Sequence, residues 1–124
     1  MIAIDTSSLI AFLSGEDGDD VLAVEEALEH KHACLPPVVL SEILSDPQLA
    51  TNVKALLKQL PFLETTGGYW ERAGILRSQI LAKGWKCRLA DSLIAQSCLD
   101  HSVSLITRDR DFRHFVDIAG LKML

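Results

Sequence analysis

The chain has 124 residues, 48% hydrophobic and 23% charged, with a formal net charge of −5. That length predicts a single domain over residues 1–124, with enough apolar side chain for a real core. The acidic balance excludes a general nucleic-acid-binding surface, which is ordinarily basic, unless several of the acids gather around a cation.

Met1 to Ile4 predicts a short buried strand, and Leu9, Ile10 and Leu13 place a helix over Thr6 to Leu13. The loop SGEDGDD ends in a cap at Asp19 or Asp20, and Val21, Val24 and Leu28 recur at helical spacing after it. HACL predicts a brief strand, and Pro36-Pro37 suits the start of a helix through VVLSEILS. Asp46-Pro47 is expected to end that helix and begin another, striped by Leu49, Val53, Leu56, Leu57 and Leu60. FLETT is a weak strand candidate, and Tyr69, Ala73, Leu76 and Ile80 mark a helix that Gly84 stops. RLADSLIAQSCLDH predicts a helix, VSLIT a strand, the stretch from about Arg110 a short helix, and IAGLKML a last strand.

Strands alternating with helices imply an α/β domain with a mainly parallel central sheet. Such sheets place their sites beyond the carboxyl ends of the strands. Asp5 ends the first strand and Asp109 lies just past a late one, so both carboxylates are expected on one rim.

Each acid has two readings when taken singly. Asp5, ahead of Thr6-Ser7-Ser8, and Asp91, in RLADSLIA, suit helix N-caps; Asp109 and Asp111 suit caps of the helix before Phe112. Glu42 shares a solvent face with Ser41 and Ser45. The alternative is that these acids meet. Magnesium and manganese prefer oxygen ligands, and a bound cation lowers the pKa of its water and neutralises charge in phosphodiester hydrolysis. No Gly-x-Ser-x-Gly elbow or P-loop offers a different chemistry.

Taken together, IDTSSLIAFL, LSEIL, LADSLIAQSCLDH and LITRDRDF resemble the PIN-domain ribonucleases, and most closely the VapC-type toxins of prokaryotic toxin–antitoxin pairs. The resemblance covers essentially the whole chain. It implies a PIN-like three-layer α/β fold. It implies a catalytic set of Asp5, Glu42, Asp91 and Asp109, with Asp5, Asp91 and Asp109 as ligands of Mg2+ or Mn2+. Thr6, Ser7 and Thr107 match the family's supporting hydroxyls, and Asp111 matches an acid that is a ligand in some members only. An RNA substrate, a homodimer and a cognate antitoxin are implied in the same way.

AKGWKCRLAD brings Lys83, Lys86 and Arg88 up to Asp91, with Trp85 among them. Lys86 and Arg88 are candidates for RNA phosphates, and Trp85 for a base stack, against a solvated loop with Trp85 packed in the core or an interface. Arg108, Arg110 and Arg113 are candidates either for phosphates or for ion pairs with Asp109 and Asp111. His30, His32 and Cys34 alternate, but no second ligand pair supports a zinc site.

Three widely spaced cysteines, Cys34, Cys87 and Cys98, read as reduced thiols. No Lys or Arg precedes Lys31 and Asp5 interrupts the opening apolar run, so neither a signal peptide nor a membrane span is expected, and the location is expected to be cytoplasmic. Two rivals remain at this stage: a receiver-like magnesium-binding signalling domain, and a non-catalytic binding module on the same fold. A receiver would want an acidic pair near the end of the first strand and a late Lys, where this chain has Asp5-Thr6 and Arg108.

Overall fold

The computed structural model describes residues 1–124. Strand β1 (Ile2–Ile4) runs through the centre of a parallel three-stranded sheet in the order β2-β1-β3, with β2 at Ala33–Cys34 and β3 at Ser104–Ile106. The register pairs Ile2 with Ala33 on one side, and Ile2, Ala3 and Ile4 with Ser104, Leu105 and Ile106 on the other. Ala3, Ile4, Leu105 and Ile106 are all buried, which is why these strands read as apolar runs without alternation.

Seven α-helices flank the sheet, giving the three-layer α/β architecture: α1 (Thr6–Leu13), α2 (Asp19–Glu29), α3 (Pro37–Leu44), α4 (Thr51–Gln59), α5 (Tyr69–Ala82), α6 (Leu89–His101) and α7 (Arg113–Ala119). A 3-10 turn, Arg110–Phe112, leads into α7. Helix α6 is buried along most of its length, from Ser92 through Cys98, so it shows no single apolar stripe. Leu9, Val24, Val39, Ile80, Ile94, Leu105 and Phe112 join the strands in one continuous core.

Three expectations shift. Asp46-Pro47 does not start α4, which begins at Thr51; the Asp46 carboxylate instead accepts from the Gln48 N–H at 2.9 Å and closes a turn. FLETT contributes one parallel bridge, Leu35 to Phe62, and IAGLKML one, Leu105 to Met123, because α7 continues to Ala119. All three cysteines are free thiols, and burial pushes Cys34 up to about 11 and Cys98 up to about 12. No helix is long and apolar enough to cross a membrane.

Candidate active site

Two strand ends set the frame. The one-residue link between β1 and α1 is Asp5, which stands at the N-cap position with extended backbone. Its carboxylate makes no cap bond. Instead the Ser7 hydroxyl donates to Oδ2 at 2.6 Å and the Thr107 hydroxyl donates to the same oxygen at 2.7 Å. Thr107 follows β3, so the second bond ties neighbouring strand ends together. Asp5 is only 4% exposed, and this pair of hydroxyls satisfies one of its oxygens while Oδ1 stays available.

Glu42 enters from α3, which Pro37 starts at its first position, where a missing N–H costs nothing. The Thr6 hydroxyl donates to Glu42 Oε1 at 2.7 Å. Glu42 therefore turns inward, toward the residue beside Asp5, and does not share the solvent face of Ser41 and Ser45.

Asp91 and Asp109 complete the group. The N-cap of α6 is Arg88, and Asp91 sits in the first turn, 6% exposed, without a capping role. Burial, the dominant effect, pushes its pKa up to about 6; Arg88 pulls the other way, and the negative fields of Asp109 and Asp5 add to the rise. Asp109 is a true cap, because its Oδ1 accepts from the Asp111 N–H at 2.9 Å at the start of the 3-10 turn. Its own N–H donates to Thr107 Oγ1 at 3.0 Å. The Arg88 guanidinium lies between the two acids, 3.3 Å from Asp91 Oδ1 and 3.6 Å from Asp109 Oδ2. Asp91, and then Asp109 and Glu42, raise the Arg88 pKa above its ordinary value, so all these acids act on one point in space.

Asp5, Glu42, Asp91 and Asp109 thus share one rim, beyond the carboxyl ends of β1 and β3. As the side chains stand, no three of them close on a single ligation point. The donor set is nonetheless all carboxylate and hydroxyl oxygen, the chemistry that suits a hard divalent cation, and one shared guanidinium already bridges two of its members.

Other candidates fall outside this group. Arg108 contacts neither Asp109 nor Asp111. Its Nε donates to Asp20 Oδ2 at 2.8 Å, its Nη1 to Glu16 at 3.2 Å and its Nη2 to the Asp17 carbonyl, so its donors are engaged by the first turn of α2 and the loop before it. Ser8, fully buried, donates to the same Asp20 carboxylate at 2.8 Å. This clamp was not legible in the sequence, since Asp20 and Arg108 lie 88 positions apart. Lys86, Arg110 and Asp111 are exposed at the surface. Trp85 packs against the core and stacks on His114, with centroids 4.3 Å apart at 15°. His30 and His32 stack on each other at 6.0 Å while Cys34 is buried, so the zinc reading gains nothing.

The fold has close counterparts among solved structures. FitAcB from Neisseria gonorrhoeae matches with a TM-score of 0.72 at 21% identity, covering 100% of this chain and 97% of that one. VapBC-5 from Mycobacterium tuberculosis, of the VapBC family of toxin–antitoxin systems, matches at 0.69 and 20% identity, with 99% and 96% covered. VapBC2 from Rickettsia felis, bound to a DNA fragment from its promoter, matches at 0.68 and 19% identity, with 100% and 98% covered. No curated protein shows significant sequence similarity to the chain. The PIN-domain family model matches residues 2–118, so the chain belongs to the PIN-domain family.

Proposed function

We propose that the protein is a metal-dependent endoribonuclease and the toxin of a toxin–antitoxin pair. The observation that supports this best is the meeting of Asp5, Glu42, Asp91 and Asp109, from four distant segments, at one rim of the sheet. Nothing structural requires so many acids together; a buried carboxylate such as Asp91, whose pKa burial raises despite the guanidinium beside it, weakens the fold at neutral pH, and such groups concentrate at functional sites. The receiver-like reading gives way to the family match.

Asp5, Asp91 and Asp109 would hold Mg2+ or Mn2+, with Glu42 beside them. The bound cation would supply Lewis-acid activation of water and neutralise charge on the phosphodiester. The chain's own residues have distinct tasks. Ser7 and Thr107 fix the Asp5 carboxylate by one oxygen and leave the other for ligation. Thr6 aims Glu42 toward the rim, where a carboxylate suits a water proton. Thr107 also fixes the backbone that carries Asp109. Arg88 lies beside the acids, and with the exposed Lys86 and Arg110 would take substrate phosphates. Arg108 is left out of that set, because its donors are occupied by Asp20 and Glu16.

The partner reading rests on the likeness to VapBC-5, a member of the VapBC family of toxin–antitoxin systems. A cleft of about 250 Å3, lined by Ile10, Leu13, Leu49 and Val53, runs up to Glu42 and would let a partner segment reach the acids. Exposed Trp70 and Ile75 on α5 are candidates for a homodimer face.

The test is cleavage of end-labelled RNA by purified protein with magnesium or manganese, with EDTA, and with Asp5→Asn. Cutting is expected only with metal and the intact acid. Equal cleavage in excess EDTA refutes the reading, and cleavage of DNA but not RNA would replace its substrate.

A further inference from the structure

Three arginines of this protein meet carboxylates, and they do so differently. Arg72 grips Asp100 at 2.6 Å and Arg108 grips Asp20 at 2.8 Å. Those distances suit strong charge-assisted bonds. Arg88 stands off, at 3.3 and 3.4 Å from Asp91 and 3.6 Å from Asp109. It is also the most solvent-exposed of the three, with 73% of its side chain accessible against 40% for Arg72 and 33% for Arg108.

The base of Arg88 is nevertheless held. Arg77 Nε donates to the Cys87 carbonyl at 2.8 Å, and the Trp85–His114 stack pins the same loop onto α7. Arg88 itself is the N-cap of α6. The stem is therefore anchored while the charged head rests loosely between two carboxylates expected to ligate metal.

We propose that Arg88 is a built-in counter-ion of the acidic site, which occupies the cation position in the metal-free protein and is displaced when a divalent ion binds. The proposal rests on the metal-dependent reading above. It goes further by making metal binding a competition within the chain. A guanidinium satisfies two carboxylates without the geometry a metal demands, so it keeps the cluster folded when no ion is present. The ion's higher charge and direct ligation win when it arrives. The released head, still tethered one turn from Asp91, then faces the side from which a phosphate approaches.

The competition has a measurable size. Each of these loose pairs, with its guanidinium in solvent, accounts for a factor of up to about five, so removing both should tighten metal binding by about two- to twenty-fivefold. The probe is manganese alone, with no RNA present, titrated by calorimetry into wild type, Arg88→Gln and Arg88→Lys, with Asp91→Asn as a control. Arg88→Gln should bind manganese more tightly than wild type and melt lower in EDTA, so its melting temperature should rise more on adding manganese. Arg88→Lys, which keeps the charge but loses the fork, should fall between them and serves alone should the Gln variant not fold. Equal or weaker manganese binding by the Arg88 variants, with Asp91→Asn abolishing it, overturns the proposal and leaves the metal reading standing. Manganese that binds neither wild type nor variants overturns both.

Discussion

The Thr107 hydroxyl donates to Asp5 Oδ2 at 2.7 Å and accepts from the Asp109 N–H at 3.0 Å. One side chain thus sets the carboxylate just past the first strand and the backbone of another just past the last. Thr107→Val keeps the shape and removes both bonds, leaving a buried acid with one hydroxyl and an N–H without its partner. We expect activity to fall about 10- to 100-fold, as for outer-shell partners of metal ligands, and stability to fall by roughly 1–3 kcal/mol. Thr107→Ser should restore most of both. A Val variant as active as wild type in a single-turnover assay would remove Thr107 from the site.

Asp91 gives a pH signature in the metal-free protein. Burial raises its folded pKa to about 6, above the ordinary 3.8, so the folded state holds this proton more tightly than the unfolded state. The stabilising contribution is therefore complete below about pH 4 and is lost as the pH rises through about 6. Asp91→Asn carries no such penalty. In EDTA it should melt close to wild type in acid and above it at neutral pH. A gap that stays constant across that window, read by calorimetric melts, contradicts the assignment.

The Arg108 clamp makes the opposite prediction. Arg108 beside Asp20 is the largest influence on that carboxyl and holds its pKa below 3.8. Its contribution is present above about pH 4 and is lost as the pH falls through the lowered folded value. Asp20→Asn should lower the melting temperature near neutrality and close the gap in acid. Gly18 belongs to the same device: its φ is +148°, and an added Cβ would lie 2.5 Å from Asp20 Oδ1 and 3.1 Å from Arg108 Nη2. Gly18→Ala should therefore cost about 1–3 kcal/mol, from the strained backbone together with the crowded fork. A variant of wild-type stability would show that the loop relaxes freely.

How much of this was legible beforehand depends on how local each signal is. β1, α1, α6 and β3 read directly, because their apolar residues are bounded by polar residues close in sequence, such as Asp5, Arg88 and Thr107, at the ends of the elements themselves. The start of α4 did not, because Asp46 caps a turn and a cap motif carries no record of which backbone it closes. The acids' convergence was carried by the family resemblance, while their separate environments were not. Asp91 suited an N-cap as well as Asp5 did, yet Arg88 takes that position and neither side chain caps its helix. Only Asp109 does what a capping Asp does. Arg108 reads as a neighbour of Asp109 and Asp111, but it stands at a bend after β3 and Asp111 already lies in the 3-10 turn, so closeness in sequence does not pair them. Its partners come from the entry loop of α2 and that helix's first turn, Glu16 and Asp20.

That cap makes Asp109→Asn the sharpest separation of structure from chemistry. Asn accepts from the Asp111 N–H as Asp does, so the 3-10 turn should survive. In EDTA two small changes oppose each other: the loose pair with Arg88 at 3.6 Å is lost, and the repulsion from Asp91 goes with it. The variant should then melt within about 1 kcal/mol of wild type, the span of an exposed ion pair. Manganese should part the two proteins. At a concentration 100 times its Kd the ion would stabilise wild type by about 2.7 kcal/mol, whereas the variant, lacking a charged ligand, would gain far less. RNA cleavage should fall by orders of magnitude alongside. A variant that matches wild type in EDTA, in manganese and in cleavage would make Asp109 a cap and nothing more. One that matches only in EDTA identifies the same carboxylate as both the start of a turn and a ligand of the metal.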